Sequence, residues 1–168
     1  MIKFRNNNLK YDFYEYLIQS KNKKILKKIK EYLVQYYLAS KETELNTSFI
    51  RFWSLSEQIL KDIADDMKYN KLVKYMEKVL KYYGYPKYIQ NRITHIKDKR
   101  NSFVHRNIDS ITQNDRNIIK TVADNLIWFV MEHDEMVNNM EEFQIILDNF
   151  NQDTERRIEL LKLLNKTK

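Results

Sequence analysis

Cysteine is absent from this chain, and its 168 residues include one glycine and one proline. Without cysteine the chain can form neither a disulfide nor a thiolate zinc site. Strand-rich folds depend on Gly and Pro for their tight turns, so the scarcity of both residues predicts a nearly all-helical protein. Because this length is typical of one domain, we expect an all-α, single up-and-down helical bundle of about five to seven helices.

Long hydrophobic runs are also missing from the chain. No run approaches the ~18 apolar residues that cross a bilayer, and the N-terminus lacks the continuous apolar segment of a signal peptide. We therefore expect a cytoplasmic protein with no membrane contact. The 30 Lys and Arg residues against 23 Asp and Glu residues give a net charge of +7, which mildly favours a polyanionic partner.

Apolar spacing predicts that residues 1–168 form one helical domain with three regions. A helical region over about 9–39 precedes a core region over about 45–137, and further helices follow over about 142–165. The last of these, predicted at 154–165, has a broad apolar face that either packs on the bundle or meets a partner.

Several polar residues mark the expected helix ends. Residues 20–22 either break the first helical region in two or kink it. We expect residues 46–48 to supply the N-cap of the next helix and Asn70 the N-cap of the one after it. Gly84 and Pro86 form the clearest boundary, with Gly84 ending one helix in a left-handed conformation and Pro86 opening the next.

The most informative pattern lies within residues 97–107. On a helix from about Pro86 to Arg106, the apolar residues form one stripe: Ile89, Ile93, Ile96, Phe103 and Val104. Arg100 falls in this stripe, and Asn101 and His105 lie one turn apart beside it. An Arg can lay its stem on apolar surface and keep its head in water, so the spacing alone leaves a structural role open. Placing a guanidinium close to buried apolar residues nevertheless costs free energy unless a partner group pairs with its charge.

An Arg-Asn pair followed by His105 near a helix end resembles the signature of the HEPN superfamily of helical nucleases and nucleotide-binding domains. The aromatic-rich segment 49–60 is similar to the second helix of the Apea-like HEPN branch. The resemblance spans about Leu45 to Val137. It implies metal-independent endoribonuclease activity, in which the 2′-hydroxyl attacks the adjacent phosphate and leaves a 2′,3′-cyclic phosphate. A role in phage defence or in a toxin–antitoxin system follows from the family alone.

The resemblance also implies roles for particular residues. His105 would transfer protons, since an imidazole exchanges protons near neutral pH. Arg100 would hold the phosphate oxygens, and Asn101 would orient either a neighbouring protomer or the scissile group. One motif supplies one imidazole for two proton transfers, so we expect a homodimer with a composite active site and no cofactor or metal. Further candidates are RNA-binding Lys97, Lys99 and Arg106, and Glu57 as a supporting residue.

Two rival functions stay open. A non-catalytic module would use the same residues to bind a nucleotide or RNA, or only to dimerise. Alternatively, the chain is a helical scaffold for a partner protein, such as an antitoxin or regulatory protein, contacted through the C-terminal helix.

Three other groups of residues suit both a functional and a structural role. The basic run 23–30 with Tyr32, Tyr36 and Tyr37 could grip single-stranded nucleic acid, but the spacing of its apolar residues favours a solvated helix face. Asp62 with residues 65 and 66 resembles a metal cluster. On a helix, however, residues 62 and 66 align while 65 points elsewhere, and no His accompanies them, so we favour a solvated face. His95, His105 and His133 are too widely spaced to indicate a metal site, and we expect His133 at the edge of the core.

Overall fold

The computed structural model describes residues 16–64, 69–106 and 110–149. Six α-helices, one short 3-10 helix and the helical residues 16–19 lie within these ranges, which contain no β-strand, and this confirms the all-α prediction. The α-helices are α1 (Lys23–Lys41), α2 (Leu45–Ile63), α3 (Tyr69–Tyr82), α4 (Lys87–Arg106), α5 (Gln113–His133) and α6 (Glu142–Asp148). None of the described helices combines the length and the apolar character that crossing a membrane requires.

α2 and α5 form the most extensive helix pair and build the centre of the bundle. Their facing sides are rich in aromatic residues, and Phe52, Trp53 and Phe129 are completely buried. Full burial of one such side chain contributes about 1.5–3 kcal/mol relative to exposure. Ser56 is also completely buried, with its hydroxyl donating to the Phe52 carbonyl at 2.9 Å. A small side chain at this point lets the neighbouring helices approach closely.

The remaining helices pack around this pair. α1 runs antiparallel to α2, because Lys28 near its start pairs with Asp62 at the far end of α2 at 3.1 Å. The Ala39 carbonyl near the end of α1 accepts from Ser48 near the start of α2 at 2.8 Å. α3 packs against α4 and α5, and α6 packs against α2 and α3. α4 lies mainly against α3 and α5, and no other described helix packs extensively on its remaining side, which we call the open side.

Two predicted helix starts are wrong. α2 begins at Leu45, and its N-cap is Glu44, whose carboxylate accepts from the backbone N–H groups of Asn46 and Thr47. A Glu side chain is long enough to reach these N–H groups and so to act as the cap. With the N-cap at Glu44, residues 46–48 lie inside the first turn. Asn70 likewise lies inside α3.

Other boundaries follow the predictions more closely. Residues 20–22 do break the first helical region, and Asn22 caps α1 by accepting from the Ile25 N–H at 3.3 Å. The apolar spacing predicts that α5 continues to about residue 138, but it ends at His133, and the chain then tightens into the 3-10 helix Asp134–Met136. At that point the buried Asp134 carboxylate accepts from the hydroxyl of Tyr16 at 2.6 Å. The helix predicted at 154–165 lies outside the described residues.

Candidate functional site

α4 carries the predicted motif, and the turn before it is sharply defined. Gly84 has a φ of 77°, a left-handed conformation that costs glycine nothing. Its N–H donates to the Lys81 carbonyl at 3.0 Å, and the Tyr85 N–H donates to the Leu80 carbonyl at 2.9 Å. These two bonds form a Schellman motif that ends α3. Pro86 follows, and α4 begins directly after it, as predicted.

One side of α4 faces the bundle core. Ile93 and Ile96 are completely buried, and Ile89 and Phe103 pack partly buried against the same core. Val104, predicted in the same stripe, has 46% of its surface exposed. It lies within about 20° of the buried Ile93 in helical projection, so it is the position of Val104 in the last turn of α4, and not a rotation out of the stripe, that accompanies its exposure.

A buried carboxylate on α5 fixes α4 in place. Asp115 is completely buried. It accepts from Arg92 Nη2 at 2.8 Å and from Lys99 Nζ at 2.6 Å, both on α4. These cations lie two turns apart on one side of α4, so the pair of contacts opposes rotation of the helix about its axis. We call Arg92, Lys99 and Asp115 the Asp115 clamp.

The N-terminus of α5 completes the surroundings of Asp115. Thr112 followed three residues later by Asp115 is a sequence pattern that predicts a capping box with Asp in the place of Glu, and the structure confirms it. The Asp115 carboxylate accepts from the Thr112 N–H at 3.0 Å, and the Thr112 hydroxyl accepts from the Asp115 N–H. Burial alone would raise the pKa of Asp115, but hydrogen bonds from Lys99, Thr112 and Arg92 outweigh it and lower the pKa to about 2. The clamp is therefore fully charged at neutral pH.

Arg100 lies on the same side of α4 as Ile93 and Ile96, as its place in the apolar stripe predicts, and it is half-buried. Its Nη1 donates to the Asn101 side-chain oxygen at 3.3 Å. The Arg100 stem follows the apolar stripe while its head reaches round the helix to Asn101. The structure thus brings together the first two residues of the predicted motif.

The open side of α4 bears a shallow pocket of about 340 Å³. Its described lining is Asp98, Asn101, Ser102, His105 and Arg106. These residues recur at the spacing of one helix face, roughly opposite the buried Ile93 and Ile96. Asn101 and His105 therefore share the pocket, and every described lining residue comes from this one helix. The pocket holds an amide, a hydroxyl, an imidazole, a carboxylate and a guanidinium within two turns.

The three predicted RNA-binding residues occupy different positions relative to the pocket. Arg106 lines the pocket, and Lys97 lies at its edge, where Nζ is 3.5 Å from an oxygen of Asp98. Lys99 is absent from the described lining of the pocket, and its ammonium forms an ion pair with Asp115. We therefore leave Lys99 out of the RNA contacts. Glu57 on α2 pairs with Lys61 of the same helix at 2.8 Å, and its supporting role stays a prediction.

The other residues singled out in the sequence have structural partners. Tyr32 is completely buried and donates to Asp62 at 2.7 Å, so Asp62 is part of the α1–α2 contact and not merely a solvated side chain. Tyr36 packs edge-on against Phe52 at 5.4 Å between ring centroids. Residues 65 and 66 lie outside the described ranges. In the part of the chain that the structure describes, no three His, Asp or Glu side chains come together to hold a metal ion.

The histidines occupy different environments. His133 is nearly buried, with Nδ1 2.9 Å from the Phe129 carbonyl and Nε2 3.1 Å from the Tyr82 hydroxyl, so it lies at the core edge as expected. His95 is exposed on α4 and is absent from the described pocket lining. His105 is exposed and lines the pocket.

Sequence reasoning missed two features of the site. Asp98 and Ser102 lie three residues before and one residue after Asn101, so a helical projection would have placed them on the same face. The Asp115 clamp had a weaker signal. The capping box marks Asp115 as a local cap, but its burial and its contact with Arg92 follow from how α4 packs on α5.

The chain was compared with models of known protein families, with curated proteins and with solved structures, and no match was found in any of the three.

Proposed function

We propose that this protein is a metal-independent endoribonuclease that cleaves RNA by attack of the 2′-hydroxyl on the adjacent phosphate. The observation that supports this most is the pocket on α4, where Asn101 and His105 share one open face with Arg106. An imidazole, an amide and a guanidinium are the groups that this reaction needs for proton transfer, orientation and charge stabilisation. The HEPN resemblance and the net charge of +7 agree with this assignment.

In the proposed reaction His105 accepts the proton of the 2′-hydroxyl as the 2′-oxygen attacks phosphorus. The bond from phosphorus to the 5′-oxygen breaks, and that oxygen takes a proton as it leaves. Arg106, which lines the pocket, stabilises the additional negative charge on the phosphate oxygens. Arg100 lies outside the described lining and adds its positive charge from beside the pocket. Asn101, whose side-chain oxygen accepts from Arg100 at 3.3 Å, orients the phosphate. The products are a 2′,3′-cyclic phosphate and a 5′-hydroxyl.

The second proton transfer needs a second acid–base group, and we assign it to His105 of another copy of the chain. α4 alone supplies the described lining of the pocket, so a facing copy would form the opposite wall. Val104, with 46% of its surface exposed, gives the last turn of α4 an apolar contact point beside the motif. A two-fold pair of α4 helices would place two motifs across one cleft.

A single-atom change in the substrate tests the mechanism. In a short RNA that is cut at one site, 2′-deoxy substitution of the nucleotide on the 5′ side of that bond should abolish cleavage there, because the nucleophile is gone. The same substitution on the 3′ side of the bond is the matched control and should leave the rate unchanged. Continued cleavage at the 2′-deoxy site contradicts the 2′-hydroxyl mechanism. Absence of cleavage in any RNA favours the rival reading, a non-catalytic nucleotide-binding or RNA-binding module.

A further inference from the structure

The pocket on α4 has opposite charges at its two ends. Asp98 lies at the N-terminal end of the lining and Arg106 at the C-terminal end. Eight residues separate them, which corresponds to about 12 Å along a helix. Asp98 is the one carboxylate in the sequence of α4, and 65% of its side chain is exposed. Asn101, Ser102 and His105 lie between the two charges.

This polarity suits one orientation of a nucleotide. A phosphate is repelled by Asp98 and attracted by Arg106, so it belongs at the C-terminal end, beside His105. The nucleobase then extends toward Asp98, where only hydrogen-bond donors are favourable, since an ionised carboxylate is purely an acceptor. Lys97, 3.5 Å from Asp98, lies at the pocket edge and leaves the carboxylate largely exposed.

We infer that Asp98 selects guanine as the base next to the phosphate held in this pocket. The Watson–Crick edge of guanine presents two adjacent donors, N1–H and the N2 amino group, which match the two oxygens of one carboxylate. Uracil presents a single N–H between two carbonyl oxygens, and those oxygens repel Asp98. Cytosine and adenine offer one amino group beside a ring acceptor, so each makes a single hydrogen bond there.

The inference rests on the proposed function, which places the scissile phosphate at the Arg106 end. It assigns the protein a preference for cleaving after guanosine. Asp98 would be a specificity-determining residue, separate from His105, which moves the protons. Because 65% of the Asp98 side chain is exposed, its substitution should leave the fold intact.

Calorimetric titration of the full chain with guanosine 3′-monophosphate and uridine 3′-monophosphate tests the inference without requiring cleavage. Wild type should bind the guanosine nucleotide about tenfold more tightly, the range expected for one bidentate base contact. Asp98→Asn should remove most of this difference. Glu31→Gln, which neutralises an exposed carboxylate on α1, is the matched control and should retain it.

The outcomes separate the inference from the proposed function. Equal affinities in wild type, binding of neither nucleotide, or a preference that survives Asp98→Asn would each overturn the role of Asp98. RNA cleavage without guanosine preference likewise overturns the inference but leaves the nuclease intact. Guanosine selection that depends on Asp98 in a protein that cuts no RNA supports the pocket assignment and contradicts the nuclease.

Discussion

Lys99 Nζ lies 2.6 Å from Oδ2 of the completely buried Asp115, although Lys99 is the residue directly before Arg100 of the motif. Lys99 and Arg100, although adjacent on α4, therefore have different roles. Lys99 and Arg92 hold the helix to α5, which leaves the face that bears Asn101 and His105 directed outward. The orientation of the candidate site thus depends on an ion-pair cluster on another side of the same helix.

Asp115→Asn should destabilise the protein by about 2–4 kcal/mol. Breaking a buried ion pair costs about 3–5 kcal/mol. We expect a smaller cost here because 39% of the Arg92 side chain is exposed, so water can solvate its charge once the partner is lost. Urea unfolding measures the change. Glu31→Gln provides the control and should alter the free energy of unfolding by less than about 0.5 kcal/mol. Equal unfolding free energies for Asp115→Asn and wild type would contradict the clamp.

The contribution of Asp115 should also depend on pH. Its folded-state pKa of about 2 lies below the ordinary value of 3.8, so its stabilisation is complete above about pH 4 and is lost as the pH falls toward 2. The difference in unfolding free energy between wild type and Asp115→Asn should therefore shrink by roughly 2 kcal/mol between pH 5 and pH 2. Unfolding curves of both proteins across this window measure it. A constant difference would show that the carboxylate charge is not what holds α4.

Most of the fold and part of the candidate site can be predicted from local sequence patterns. The scarcity of Gly and Pro, the turn at Gly84, the aromatic face of α2 and the capping box at Thr112 all follow from short-range chemistry, and the structure agrees with each. The Glu44 cap was missed because Ser, Thr and Asn are the more common caps nearby. The assignment of Lys99 depends on a partner 16 residues away, and no local pattern reveals that this ammonium is directed at a buried carboxylate.

RNA affinity should respond differently to neighbouring cations of α4. Arg106→Gln and Lys97→Gln should each reduce the slope of log affinity against log salt concentration by about 0.7, the value for one lost phosphate contact on a single strand. Lys99→Gln should weaken the fold and leave that slope unchanged. Binding is measured in a His105→Ala background so that the RNA stays intact. A larger change in slope from Lys23→Gln and Lys27→Gln would move the RNA surface to α1.

Dimerisation should depend on the last turn of α4. Val104→Asp introduces a charge at the proposed two-fold contact, so it should convert the dimer to monomer and reduce cleavage. Val34→Asp alters another exposed valine, on α1 and 58% exposed, and should leave both properties unchanged. Light scattering at micromolar concentration, combined with a cleavage assay, measures them. A wild-type monomer with full activity rules out the composite site.

Two histidines of α4 allow the most direct test of the proposed enzyme, because both are exposed, His105 lines the pocket and His95 is absent from its described lining. The measurement is the rate of RNA cleavage by wild type, His105→Ala and His95→Ala in the presence of EDTA, with the product ends identified. We predict 2′,3′-cyclic phosphate products, a loss on the order of 10²–10⁴ in rate for His105→Ala, and no change for His95→Ala. Cleavage that EDTA abolishes, or that persists at the wild-type rate in His105→Ala, contradicts the proposal.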